Sequence, residues 1–242
     1  MSRFGMVLRR TGIACVLGVW FSSTVAAEPI LLSMDRRVMG AAEVISEFGT
    51  DEIELRDSTF GPGLFDVRLI GTALKGPESA HFSVSQRTDI SSTGWFGSGT
   101  ALASANVSSE GFASATAESS MTIALRLTEP MSYRFTGTVT GDLSPARISF
   151  SGEDLSWFIT GGGAVPQVVT RSGLLAAGDY FFNALAYDSR EGGAAFDVQF
   201  TLSDPAPVPE PATLLLFGTG AAAVARRVWK YRKGTGTLEH TP

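Results

Sequence analysis

From Phe196 to Ser203 every second residue is apolar: Phe196, Val198, Phe200 and Leu202 alternate with Asp197, Gln199, Thr201 and Ser203. Successive side chains of an extended chain point to opposite faces, so this segment is predicted to be a strand with one buried and one wet side. Met121, Ile123, Leu125 and Leu127 repeat the pattern. Tyr133, Phe135 and Val139 follow it with Gly137 in the intervening same-face position, where a bulge is expected. Further strands are predicted at 65–70, 82–86, 147–150, 155–160 and 180–187. Turn residues punctuate them at Gly61-Pro62-Gly63, Glu129-Pro130, Thr140-Gly141-Asp142 and Gly161-Gly162-Gly163. Helical periodicity is missing from this region. Short half-buried strands at such spacing make an all-β antiparallel β-sandwich of jelly-roll type.

Residues 98–120 are built from small side chains. Ala101, Ala103 and Ala105 alternate with Leu102, Ser104 and Asn106, and the alternation resumes at Ala113, Ala115 and Ala117. Two small-residue strands around a Ser109-Glu110-Gly111 turn are expected. Such strands let sheets approach closely but bury little apolar area, at about 25 cal/mol per Å². A low-complexity disordered segment is the alternative.

The two ends read as addresses. Arg3, Arg9 and Arg10 precede a short apolar stretch, Thr11 to Thr24, and the small residues Val25-Ala26-Ala27 stand before Glu28. That is a secretory signal helix over 1–27, cleaved between Ala27 and Glu28 by signal peptidase after entry into the general secretion machinery. At the other end Pro209-Glu210-Pro211 is followed by the uncharged run Ala212 to Ala225 and the cluster Arg226, Arg227, Lys230, Arg232 and Lys233. The prolines keep Glu210 extended and withhold two N–H donors. The apolar run is short against the ~20 residues of an ordinary span, and the cations should stay cytoplasmic. A short transmembrane helix that crosses transiently, through 212–229, is expected.

These three parts, in this order, resemble the PEP-CTERM sorting domain of exosortase substrates. The resemblance implies recognition, and cleavage near the motif, by an exosortase-type membrane transpeptidase. It spans 209–233; residues 234–242 form a polar tail, and 204–208, Asp-Pro-Ala-Pro-Val, an extended linker. The stretches 96–101, 127–138 and 175–182 also resemble exported domains that precede this signal. That likeness implies a β-sandwich with an extracellular-matrix role, exopolysaccharide or biofilm association, and glycosylation along the Ser/Thr-rich region 83–128.

Between the signals, residues 28–208 carry 11 basic and 22 acidic side chains, a net charge near −11. Such a surface repels nucleic acid and anionic lipid, and anionic polymers too unless divalent ions bridge them. The chain's one cysteine, Cys15, lies in the signal, so 28–208 holds neither disulfide nor thiolate. One histidine, His81, falls in the same region, too few for a histidine metal cluster. No cofactor or metal is expected. Gly-x-Ser-x-Gly is absent. Glu153 and Asp154 are adjacent and would face oppositely on a strand, while Asp51, Glu52, Glu54 and Asp57 read as a charged edge.

Two Trp-Phe pairs, Trp95-Phe96 and Trp157-Phe158, remain. On a strand one member of each must face away from the side that buries the other. Trp95 and Trp157 are the candidate ligand-stacking aromatics, with core packing as the competing role. The sequence therefore describes a noncatalytic exported protein of 28–203, passing an inner-membrane intermediate to the cell surface or matrix. A carbohydrate-binding module is the alternative, and an extracellular glycan hydrolase the second. The sorting expectation has a direct check by intact mass of the protein recovered from its producing cell. The mass should end near residues 209–211, whereas a Glu210→Ala chain should retain Lys233 and beyond.

Overall fold

The computed structural model describes residues 28–205, apart from 109, 154, 190 and 191. The signal segment 1–27, the sorting segment 209–233 and the end of the linker lie outside these residues. Ten antiparallel strands make up the described chain: β1 (Ile30–Ser46), β2 (Gly49–Thr59), β3 (Gly63–Lys75), β4 (Glu78–Ser91), β5 (Gly94–Asn106), β6 (Phe112–Leu127), β7 (Met131–Gly152), β8 (Ser156–Leu175), β9 (Gly178–Asp188) and β10 (Ala194–Ser203).

They stack as two sheets that share one hairpin. The first runs β2-β1-β6-β9 and the second β3-β4-β5-β10. The β7–β8 hairpin completes both. Residues 132–141 of β7 pair with β10, and 146–152 pair with β9, while β8 follows β7 through both halves. Thr140-Gly141-Asp142 and Gly161-Gly162-Gly163 are therefore corners inside long strands rather than the turns expected of them. Between Gly141 and Ala146 β7 carries three more residues than β8 carries between its partners Gly161 and Gly163. That odd excess flips the parity of β7. Tyr133, Phe135 and Val139 face inward before the corner, and Ala146, Ile148 and Phe150 after it.

Asp188 fixes this corner. Its buried carboxylate accepts hydrogen bonds from Ala103 N at 2.7 Å, Gly193 N at 3.0 Å and Ser144 Oγ at 2.5 Å. One side chain thus joins β5, the β7 corner and the β9–β10 connection. At Gly141 itself a Cβ would lie 2.2 Å from Ser144 O, so only glycine fits the bend.

The core has two textures. Near the shared hairpin it is aromatic: Trp95 stacks on Phe200 at 4.2 Å, and Phe150 meets Phe200 at 5.5 Å and Trp157 at 5.8 Å. Toward β1, β4, β5 and β6 it is made of glycine and alanine with Phe82 wedged among them. A Cβ on Gly40 or on Gly71 would fall 2.1 Å or 2.2 Å from the Phe82 ring. The two alanine strands expected from the sequence exist, with Ala101, Ala103, Ala115 and Ala117 buried. They belong to opposite sheets, however, so β5 and β6 do not form the hairpin expected of them. Gly137 shows no bulge. It pairs in register with Val198 and Val169, and the Phe135 ring fills the space above it.

At the far edge, the buried guanidinium of Arg36 on β1 donates to Gly61 O at 2.5 Å, Gly63 O at 2.6 Å and Thr88 Oγ1 at 3.3 Å. It also lies 5.5 Å from the Phe65 ring centroid. Burial lowers its pKa and the Asp89 charge opposes that, yet arginine stays protonated at any ordinary pH. The β2–β3 turn is thereby tied to both sheets. Asp51 on edge strand β2 adds a second tie by accepting from Leu74 N at 2.8 Å, while Glu52 and Glu54 point outward as an edge charge.

Overpacking a full core costs about 1–3 kcal/mol. Gly40→Ala should lower unfolding stability by at least that range, and adding Phe82→Leu should recover part of it. A double-mutant cycle in urea measures the coupling.

Candidate functional site

The Trp-Phe pairs divide as strand geometry demands, but the tryptophans take the inner side. Trp95 is 3% exposed and Trp157 7%. Trp95 lies between Phe200 and Phe182, and Trp157 packs on Phe135 at 4.6 Å with Arg171 5.6 Å from its ring. Both rings lie almost wholly inside the sandwich, where they serve as core packing rather than as ligand platforms. The Phe200, Phe182 and Phe135 rings across the sandwich receive the indoles, which sets them inward. Phe96 and Phe158 are the outward members, at 45% and 76% exposure.

On the outer face of the first sheet Phe158 is joined by Phe181 of β9, at 45% exposure. Ser149 pairs directly with Phe158 on one side and Asn183 on the other, so the three residues form a row across β8, β7 and β9. Strand spacing of about 4.8 Å makes that row about 10 Å long. Arg147 stands one step along, opposite Thr160. These side chains line an open hollow of about 550 Å³. Asn183 Nδ2 donates to Thr122 Oγ1 at 3.1 Å, which fixes the amide and leaves its oxygen as an acceptor. Beyond Phe181 the face is closed by a bidentate pair, Arg126 Nε and Nη2 to Asp179 at 2.6 and 2.8 Å. That hydrogen bonding holds the Asp179 carboxyl below the usual carboxylate range.

What can this hollow do? It offers two exposed phenyl rings, a fixed amide, two hydroxyls and a guanidinium, with no carboxylate among its lining residues. Rings and forked donors of this kind fit a flat ligand with one apolar side and a hydroxyl-rich rim. Other exposed phenylalanines, Phe48, Phe60 and Phe112, sit in connections or at a strand start, off the middle of either face.

The remaining candidate residues are dispersed. His81 Nδ1 lies 2.9 Å from Thr72 Oγ1 on the outer side of β3–β4. Asp188 spends its carboxylate on the fold as described above. Glu28 is exposed at the start of the described chain. Pro209, Glu210, Pro211, Ala27 and the basic cluster lie outside it. Among the described residues no group of three or more His, Cys, Asp or Glu is placed to hold a metal ion.

Substitutions in one dipeptide should separate core from surface. Trp157→Ala should cost about 3–5 kcal/mol of stability, and Phe158→Ala no more than about 0.5 kcal/mol. Chemical denaturation of both variants checks the contrast.

Residues 207–233 match the PEP-CTERM protein-sorting motif, so the chain carries that motif and reads as an exported protein sorted through an exosortase. No curated protein matches the sequence. Among solved structures, a ruminal GH26 endo-beta-1,4-mannanase aligns at 18% identity and a TM-score of 0.22. The alignment covers 38% of this chain and only 19% of that one. CBM35 from Cellvibrio japonicus Abf62 aligns at 14% identity and a TM-score of 0.23, covering 36% of this chain and 67% of that one.

Proposed function

We propose that the protein is a noncatalytic surface or extracellular-matrix component that holds neutral exopolysaccharide on the outer face of its first sheet. Export begins with the N-terminal signal. An exosortase-type enzyme then cuts near Glu210, which frees the sandwich from its membrane segment for attachment at the cell surface or in a biofilm matrix. The observation that carries the glycan reading is the hollow of Phe158, Phe181, Arg147, Ser149 and Asn183. The C–H face of a pyranose stacks on an aromatic ring, while its equatorial hydroxyls meet the amide, the hydroxyls and the guanidinium fork. The excess of acidic groups between residues 28 and 208 favours an uncharged polymer over a polyanion.

A glycan hydrolase finds less support. Hydrolysis by paired carboxylates needs two of them about 5–9.5 Å apart across the sugar. The first-sheet hollow is lined by none, and a second hollow on the opposite face by Asp89 alone.

Native affinity electrophoresis through hydroxyethylcellulose, glucomannan and dextran, with alginate as the polyanion, tests the proposal. The mature protein should be retarded by at least one neutral polymer and not by alginate. Phe158→Ala should weaken that retardation several-fold to tenfold, the usual effect of removing an aromatic anchor. Unretarded migration in all three neutral gels would remove the glycan reading.

A further inference from the structure

The geometry points to a second glycan site on the opposite face of the sandwich, which makes one domain a bridge between two polysaccharide chains. This rests on the glycan reading above and goes beyond it in valency. The second site is centred on Phe96 of β5. Asp89, Phe96, Gln199 and Thr136 form one cross-strand row over β4, β5, β10 and β7, with Arg134 and Thr201 paired one step along. Two adjoining hollows of about 250 and 410 Å³ share Gln199 and Thr201 and run from Asp89 to Arg134.

The two faces repeat one set of parts. Each has an exposed phenylalanine directly following a buried tryptophan: Phe158 after Trp157, and Phe96 after Trp95. An amide shares each row, Asn183 on the first sheet and Gln199 on the second. Each face also has an exposed arginine from β7, Arg147 after the corner and Arg134 before it. No ion-pair partner is seen for either arginine among the described residues, so both guanidinium forks are open to a ligand. The parity flip at 141–146 keeps both arginines outward although one lies at an even and the other at an odd position.

The occupant is the same neutral glycan on both faces. Neither row presents more than a single carboxylate to it, and the acidic surroundings disfavour a polyanion at either. The outer faces of two stacked sheets point away from each other, so one rigid chain segment cannot lie on both. Two sites on opposite faces cross-link a polymer network, and linkage raises retention above that of either site alone.

The test uses mature protein from the producing cell: wild type, Phe96→Ala, Phe158→Ala and the double variant, each first checked by thermal melting. Retardation in the neutral polymer that binds wild type reports binding, and the size of polymer–protein particles by light scattering reports bridging. Wild type should bind and enlarge the particles. Each single variant should still bind, several-fold to tenfold more weakly, with no enlargement, and the double variant should do neither. If Phe158→Ala alone abolishes binding, or Phe96→Ala bridges like wild type, Phe96 forms no site and the inference is wrong while the glycan reading stands. If wild type binds no neutral polymer, both fail together.

Discussion

The corner of β7 is the constraint on which the sandwich depends. A strand of 22 residues is hydrogen-bonded to β10 in one sheet and to β9 in the other, and it takes β8 with it. Turning it needs a residue without a side chain at Gly141, an odd number of extra residues to restore an inward face, and an anchor for the bend. Asp188 supplies the anchor. Its fully buried carboxylate would be costly if unpaired, because an ion in a low-dielectric interior loses its hydration. Two backbone N–H groups and the Ser144 hydroxyl compensate it, and each comes from a different part of the chain. Losing the acid would leave those donors buried and free the corner and the β9–β10 connection at once.

The rest of the core follows from where that corner lies. At the hairpin end the sheets are held by stacked rings, which fill a wide gap with few side chains. At the opposite end glycine and alanine let the backbones close in, and Phe82 occupies the room that Gly40 and Gly71 leave. Alanine strands bury little area each, so that end needs polar ties as well. Arg36 and Asp51 provide them by binding backbone groups that the sheet ladders leave over. Hydrogen bonds from a charged group to backbone contribute more than neutral ones, which suits positions where apolar contact is thin.

Strands with bulky alternation, such as β10 and the second half of β6, were legible in the sequence, because period-two patterning of large apolar residues has no competing reading. β1 was not. Its inward row reads Arg36, Val38, Gly40, Ala42, Val44, and a charged residue, a glycine and an alanine blur the alternation. The corners in β7 and β8 read as turns in the sequence because glycine marks either one, and only the pairing partners distinguish them. The site was half legible. Alternation required one ring of each Trp-Phe pair to face out, but nothing local decided which. The choice was made across the sandwich, where Phe200, Phe182 and Phe135 await an indole. Phe181, Asn183 and Arg147 could not be joined to Phe158 before the register of β7 with β8 and β9 was known.

That division of the dipeptide has a functional consequence. A surface phenylalanine on a loop would lose side-chain and backbone freedom on binding, and that loss subtracts from affinity. Here the preceding tryptophan is locked in the core, so the strand position and the direction of the outward ring are set before any ligand arrives. The core and the two faces share a backbone but not side chains. Outer residues can therefore change with little effect on stability, while the inward indoles, the Asp188 anchor and Gly141 stay bound to the fold. A sandwich organised in this way separates what it must keep in order to fold from what it presents outside the cell.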